Sequence, residues 1–414
     1  MRGICSFYED LTDCDGIFNC KVIVKNKSLL LSGENVACTQ REGAVLCIKG
    51  YVTNLAELSE KFEIKDSVQE KILLTLFLMK GETFVKELKG DFVIAVLDEI
   101  NKKLHIFTDT DNFNRVYVAP IKNGFLFSVN IAEIITCPFF KPIIKEEGIL
   151  KLFAMPYAYT GEFISRVHRI SGEEYITISK EGAYIQKNQI EIISKKPEKL
   201  NITEPYEGDS FKYAMVKKGE IAMLMPPYIM ASVLQSGEVL NNHLILTQTS
   251  ESYPSIMRSE MDFKSYEKEV KNEFVCSIDD FSYESYEDIE RAEAFYLHYM
   301  LYLKNYLSQV NAFCKSYGIK NSSDILNPAC LKWLYDNKKE KMVMGTENKI
   351  YLTQDVRKKT AHLCENKSEP VFKVLQRRKL KDLCYDAEES FLLFVLRVNK
   401  FFKEFELYLE FRTD

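Results

Sequence analysis

Before residue 130 the chain is a succession of short apolar runs set between turn signals, and this pattern restricts its fold more than anything else in it. Val22–Val24, Leu29–Leu31 and Val45–Ile48 have strand composition. Leu55–Phe62 and Val68–Met79 instead place apolar residues at helical spacing. Strand-like runs resume at Phe92–Leu97, Lys103–Thr108, Val116–Ile121 and Gly124–Val129, with Asn123-Gly124 as a hairpin turn. Two strand groups with helices between them bury their apolar faces only by stacking in layers. The predicted class is therefore α+β, with a ββ sandwich and flanking helices. Alternation predicts that Phe92, Ile94 and Val96 share one buried face.

The remaining chain is less regular. A helix is predicted over 144–155, then a hairpin of Tyr175–Ile178 and Ala183–Gln186 with its turn at Lys180–Gly182. The polar stretch 194–210 holds Pro197, Pro205 and Gly208 and has linker character. From Glu287 onward helical spacing dominates, and Phe295, Tyr296, Tyr299, Tyr302 and Tyr306 form a stripe expected to be helix core. The acidic, tyrosine-rich stretch 250–288 is either a solvated excursion or a partner-docking surface.

Composition removes several classes of function. With 46% hydrophobic and 28% charged residues, the chain has the balance of a folded protein. A net charge of −5 gives no basic footprint for nucleic acid or an anionic membrane. No run reaches the ~20 apolar residues that cross a bilayer; the densest, Phe391–Val398, is interrupted by Arg397 and fits a buried helix. No apolar stretch of signal-peptide type follows Arg2, so a cytoplasmic location is expected. The 11 cysteines are odd in number and lack a CxxC pair, and the 5 histidines are far apart. No metal site is expected, and free thiols in a reducing compartment are the simpler reading.

Four segments in order resemble one family. Gly81 to Asp98 (GETFVKELKGDFVIAVLD), Leu104–Asp109, Val116-Tyr117 and Phe125–Ser128 are similar to the class II glutamine amidotransferase domain that begins asparagine synthetases, β-lactam synthetases and lasso-peptide cyclases. The resemblance implies an N-terminal-nucleophile (Ntn) sandwich over 1–142. Residues 143–414 would then form a truncated, mainly helical asparagine-synthetase-like domain.

In an active member of that family a terminal cysteine supplies the thiolate that attacks glutamine, and its own α-amine serves as base. At the matching position this chain has Arg2, a group that neither attacks an amide nor deprotonates at neutral pH. Cys5 cannot replace it, because its nitrogen is in a peptide bond. The family's oxyanion-hole Asn-Gly pair matches Lys49 and Gly50, so the asparagine is lost. The aspartate that holds the substrate ammonium matches Val68. The resemblance thus implies a degenerate member without glutaminase activity.

The second half resembles the synthetase domain more weakly, beginning with Tyr157–Ile178. The family's S-G-G-x-D-S pyrophosphate loop has no counterpart, and the polar stretch near residue 200 stands where it belongs. Ser232–Leu244 is similar to V-x-L-S-G-E-G-A-D-E-L-F, retaining Ser236 and Gly237 but with Asn241 and Asn242 for the acidic pair near magnesium. Further on, Lys320 replaces a glutamate. Lys349 matches the lysine that meets the activated intermediate and is the residual catalytic candidate.

These losses imply a pseudoenzyme acting as scaffold or accessory to a protein or peptide partner, in a bacterial peptide natural-product pathway, with no cofactor. Homo-oligomerisation is compatible with that reading. The alternative is an ATP-dependent amide-bond-forming ligase with a divergent nucleotide site, which would need ATP and Mg2+. A third reading is a small-molecule binding protein, for which Lys49 favours an acidic ligand.

Overall fold

The structure, a computed structural model, describes residues 1–8, 11, 22–109, 115–145, 148–149, 163–170, 174–187, 355–385 and 389–412. The expectations for 194–210, 250–288 and the aromatic stripe at 295–306 lie outside these residues. The chain divides into two compact units, Met1–Lys141 with Arg166–Glu191, and Pro142–Ser165 with Ile192–Asp414.

The first unit is built on two antiparallel sheets of six strands each among the described residues. In one the order is β11 (His168–Ile170), β8 (Val116–Ile121), β9 (Gly124–Ser128), β1 (Arg2–Cys5), β3 (Leu29–Ser32) and β2 (Val22–Lys25). In the other it is β13 (Gly182–Lys187), β12 (Glu174–Ser179), β7 (Lys103–Thr108), β6 (Gly90–Asp98), β5 (Ala44–Val52) and β4 (Val36–Arg41). Inward-facing residues of both sheets, among them Met1, Leu31 and Phe127 from the first and Cys47, Val93 and Ile106 from the second, make one apolar core.

The other face of the second sheet carries its own core. Phe92, Ile94 and Val96 lie there together, as the alternation predicts, and pack under Leu58 of α1 (Leu55–Lys61) and Leu73 and Phe77 of α2 (Gln69–Lys80). A 3-10 turn, Gly81–Glu87, adds Phe84. The outer face of the first sheet receives α3 (Ile131–Ile135), which packs on β8 and β9 and whose N-cap Asn130 accepts a hydrogen bond from Ala132 N–H.

Two expectations need correction. The first unit does not stop at residue 142, because β11, β12 and β13 complete its sheets. Within Tyr157–Ile178, read as the passage into a second domain, β11 and the start of β12 instead extend the sandwich. β12 lies on β7 with Tyr175 opposite Phe107 and Ile178 opposite Leu104, so β7 is not left as an apolar edge. The predicted helix over 144–155 begins instead with a strand, β10 (Ile143–Lys145), which pairs in parallel with β14 (Glu410–Arg412); Gly148 and Ile149 are helical. A three-residue strand whose partner lies at the far end of the chain leaves no local signal.

The described part of the second unit otherwise consists of α4 (Asp355–Glu365), a 3-10 turn (Pro370–Lys373), α5 (Arg377–Leu383) and α6 (Glu389–Glu404). The run read as a buried helix is the first half of α6, and Leu392, Val395 and Val398 are fully buried. A buried carboxylate joins these pieces. Glu369 accepts hydrogen bonds from Asn399 Nδ2 (2.6 Å), Lys403 Nζ (2.8 Å) and Asn366 Nδ2 (3.0 Å).

Candidate functional site

The residues that the family resemblance marks for glutamine chemistry are distributed over β1, β5 and the start of α2. On β1, side chains alternate between faces. Met1 and Cys5 enter the core between the sheets, whereas Arg2 turns to the outer face. Its register partners there are Ser32 and Ser128, both fully buried. Arg2 Nε donates to Ser32 Oγ at 3.3 Å, and Arg2 Nη1 lies 4.0 Å from Glu133 Oε1 on α3. Ser128 Oγ donates to the other oxygen of Glu133. The side chain at the nucleophile position therefore ties β1 to its neighbouring strands and to α3. On the opposite, inward face the next residue lets Phe127 pack against β1: a Cβ on Gly3 would meet the Phe127 ring at 2.3 Å. Cys5 offers no substitute nucleophile, since it is fully buried and burial pushes its thiol well above the ordinary range.

Lys49 shares the inward parity of Val45 and Cys47 and stands opposite Val36 and Val93. It therefore projects into the space between the sheets. Met1 is close by, because a Cβ on Gly33 would lie 2.9 Å from Met1 Cα and 3.0 Å from a methyl of Val36. Gly50 adopts φ +105°, and a Cβ there would come within 2.0 Å of the Asp91 carbonyl oxygen. The backbone alone requires glycine at this position, so its presence is not a sign of surviving oxyanion chemistry.

Val68 is the N-cap of α2, 39% exposed and without a side-chain cap bond. The next residue supplies the missing tie: Gln69 Nε2 donates to the Gly50 carbonyl at 3.2 Å, and Gln69 Oε1 accepts from Val52 N–H at 2.9 Å. Gln69 was not singled out from sequence, because α1 lies between it and the strand end that it ties. Asn54 acts in the same way, donating to the Glu87 carbonyl (2.8 Å) and accepting from Lys89 N–H (2.9 Å).

The fold thus brings Met1, Lys49, Gly50 and Val68 toward one end of the sandwich, while the Arg2 side chain faces away. Among the described residues no cluster of His, Cys, Asp or Glu side chains is arranged to hold a metal. Ser236, Gly237, Asn241, Asn242, Lys320 and Lys349 lie outside the described residues.

The class follows from this sandwich and a family match together: residues 32–189 match the glutamine amidotransferase domain family, so the chain carries a domain of glutamine amidotransferase type. Among solved structures, a glutamine phosphoribosylpyrophosphate amidotransferase from B. subtilis, complexed with ADP and GMP, is similar at 13% identity and TM-score 0.29, over 41% of this chain and 37% of that one. A structure described as the allosteric regulatory enzyme of purine biosynthesis is similar at 11% identity and TM-score 0.31, over 59% of this chain and 52% of that one. The chain therefore spans about a third to a half of the length of these enzymes. No curated protein matches the sequence.

Proposed function

We propose that this protein is a catalytically silent member of the asparagine synthetase group, retaining the amidotransferase sandwich as a scaffold or accessory for a protein or peptide partner. The observation that carries this reading is the clamp on Arg2. The side chain at the nucleophile position makes structural contacts with Ser32 and Glu133 on the outer face of its sheet. Lys49 and Val68 support it from the oxyanion and substrate-anchor positions, where an ammonium would meet valine instead of a carboxylate. A role in bacterial peptide natural-product assembly is part of the proposal and rests on the family resemblance.

Calorimetry on the full chain tests this reading. Glutamine and ATP·Mg should each bind no tighter than about millimolar, a free energy of roughly 4 kcal/mol. A micromolar constant for ATP·Mg would favour the amide-ligase alternative and restore Lys349 as a catalytic candidate.

A further inference from the structure

β4 and β5 are joined by a two-residue turn in which Glu42 and Gly43 both have positive φ, +51° and +74°. This is a type I′ turn, closed by Arg41 opposite Ala44. In a hairpin closed this way the flanking pair exchanges both backbone hydrogen bonds, and pair types then alternate along the ladder. Counting outward, Gln40 opposite Val45 is a non-hydrogen-bonded pair, Thr39 opposite Leu46 a bonded one, and Cys38 opposite Cys47 again non-bonded. Side chains approach most closely at non-bonded pairs, where Cα atoms are about 4.5 Å apart. That spacing falls within the roughly 4.4–6.8 Å range a disulfide spans, at its short end.

Both cysteines are free thiols, and their side chains are hydrogen-bonded to each other. They differ in access. Cys47 is fully buried in the core between the sheets, whereas Cys38 is partly exposed on β4, the edge strand of its sheet. The hydrogen bond and burial together push the Cys47 thiol far up, so the proton stays on the inner sulfur.

We propose that Cys38 and Cys47 form a two-thiol redox site, closed to a cross-strand disulfide by a peroxide. The Cys38 sulfur attacks a peroxide oxygen and breaks the O–O bond, giving a sulfenic acid and one water from hydrogen peroxide. The Cys47 sulfur then attacks the Cys38 sulfur. The S–S bond forms, the S–O bond breaks, and the departing hydroxide takes the Cys47 proton as a second water. The two thiols together lose two electrons and the peroxide gains them. Closure fixes the edge strand β4 to β5 two residues before Lys49. Cys364 and Cys384 also share a hydrogen bond, but both are almost fully buried and serve as an internal control.

Peptide mapping of the full chain tests the site. The native protein is treated with about a ten-fold molar excess of hydrogen peroxide, then unfolded, alkylated and digested with trypsin. Arg41 lies between the two cysteines, so their peptides separate unless a disulfide joins them. The expected result is a Cys38–Cys47 linked pair in most molecules, dissociated by dithiothreitol, with Cys364 and Cys384 still alkylated. In Cys38→Ser the linked pair disappears and Cys47 remains alkylatable. Sulfinic acid at Cys38 without a link, full alkylation of both, or Cys47 linked elsewhere in the wild type would each overturn the proposal. The wild-type arm alone decides, whatever the folding of the variant.

Discussion

At the scale of single residues, the side chain that stands where the family resemblance expects the nucleophile has structural contacts of its own. Arg2 satisfies Ser32 and approaches Glu133 beneath α3. Arg2→Ala should lower unfolding stability by about 1–2 kcal/mol, the ordinary loss for a hydrogen bond to a charged group, as read from urea denaturation. On the proposed reading Arg2→Cys should restore no glutamine hydrolysis, because an oxyanion donor worth ~3 kcal/mol would still be absent and valine would still stand where the resemblance expects the carboxylate that holds the substrate ammonium. His105 gives a pH signature. It is buried, 3.0 Å from Thr177 Oγ1 and 3.2 Å from Glu82 Oε1, and burial holds it below its ordinary value of 6.5 despite the pull of Glu82 and Asp98. The unfolded chain therefore binds the proton more readily, and the stability this neutral imidazole contributes is lost as pH falls below 6.5. The melting temperature should fall between about pH 7 and pH 5.5, and by less in His105→Gln; equal slopes would contradict this. The identities of Arg2, Lys49 and Val68 were legible from sequence. Their surroundings were not, because the face a strand residue occupies depends on partners distant in sequence.

Elements with a dense local signal were read correctly from sequence. Lys103–Thr108 and Val116–Ile121 coincide with β7 and β8, and the hairpin expected at Asn123-Gly124 turns one residue earlier, at Lys122-Asn123, with Gly124 opening β9. β4 was not read, because its sequence VACTQR is half polar and it lies at a sheet edge. β10 and β14 were missed because three residues carry no periodicity. Two predictions belong at this scale. Gly50→Ala should destabilise the first unit by about 2 kcal/mol or more, since positive φ is costly for alanine and the new methyl would strike the Asp91 carbonyl oxygen. Glu369→Ala should cost about 1–3 kcal/mol by leaving buried amide donors unsatisfied. Hydrogen exchange in α6 should accelerate more than that in β6, and equal acceleration would show that Glu369 does not hold this group of helices. Burial opposes the charge on Glu369, but the bonds from Lys403 and Asn399 prevail and hold its pKa below the ordinary value of 4.5. Its contribution is therefore present above that pH and is lost as the solution becomes more acidic.

For the molecule as a whole, alternation and helical spacing led to stacked sheets because each sheet needs cover on its apolar faces. They misplaced the domain boundary, since no local feature of 166–187 indicates that β11, β12 and β13 return to the first unit. What unites the account is a sandwich of amidotransferase type and the proposal that it no longer handles glutamine. The most direct test is glutamate release from glutamine by the purified full-length chain, against a heat-treated control. The account predicts no release above that control. Glutamate formed at a rate proportional to protein and abolished by heating would contradict it, and would mean that a group other than Arg2, Lys49 or Val68 performs the chemistry.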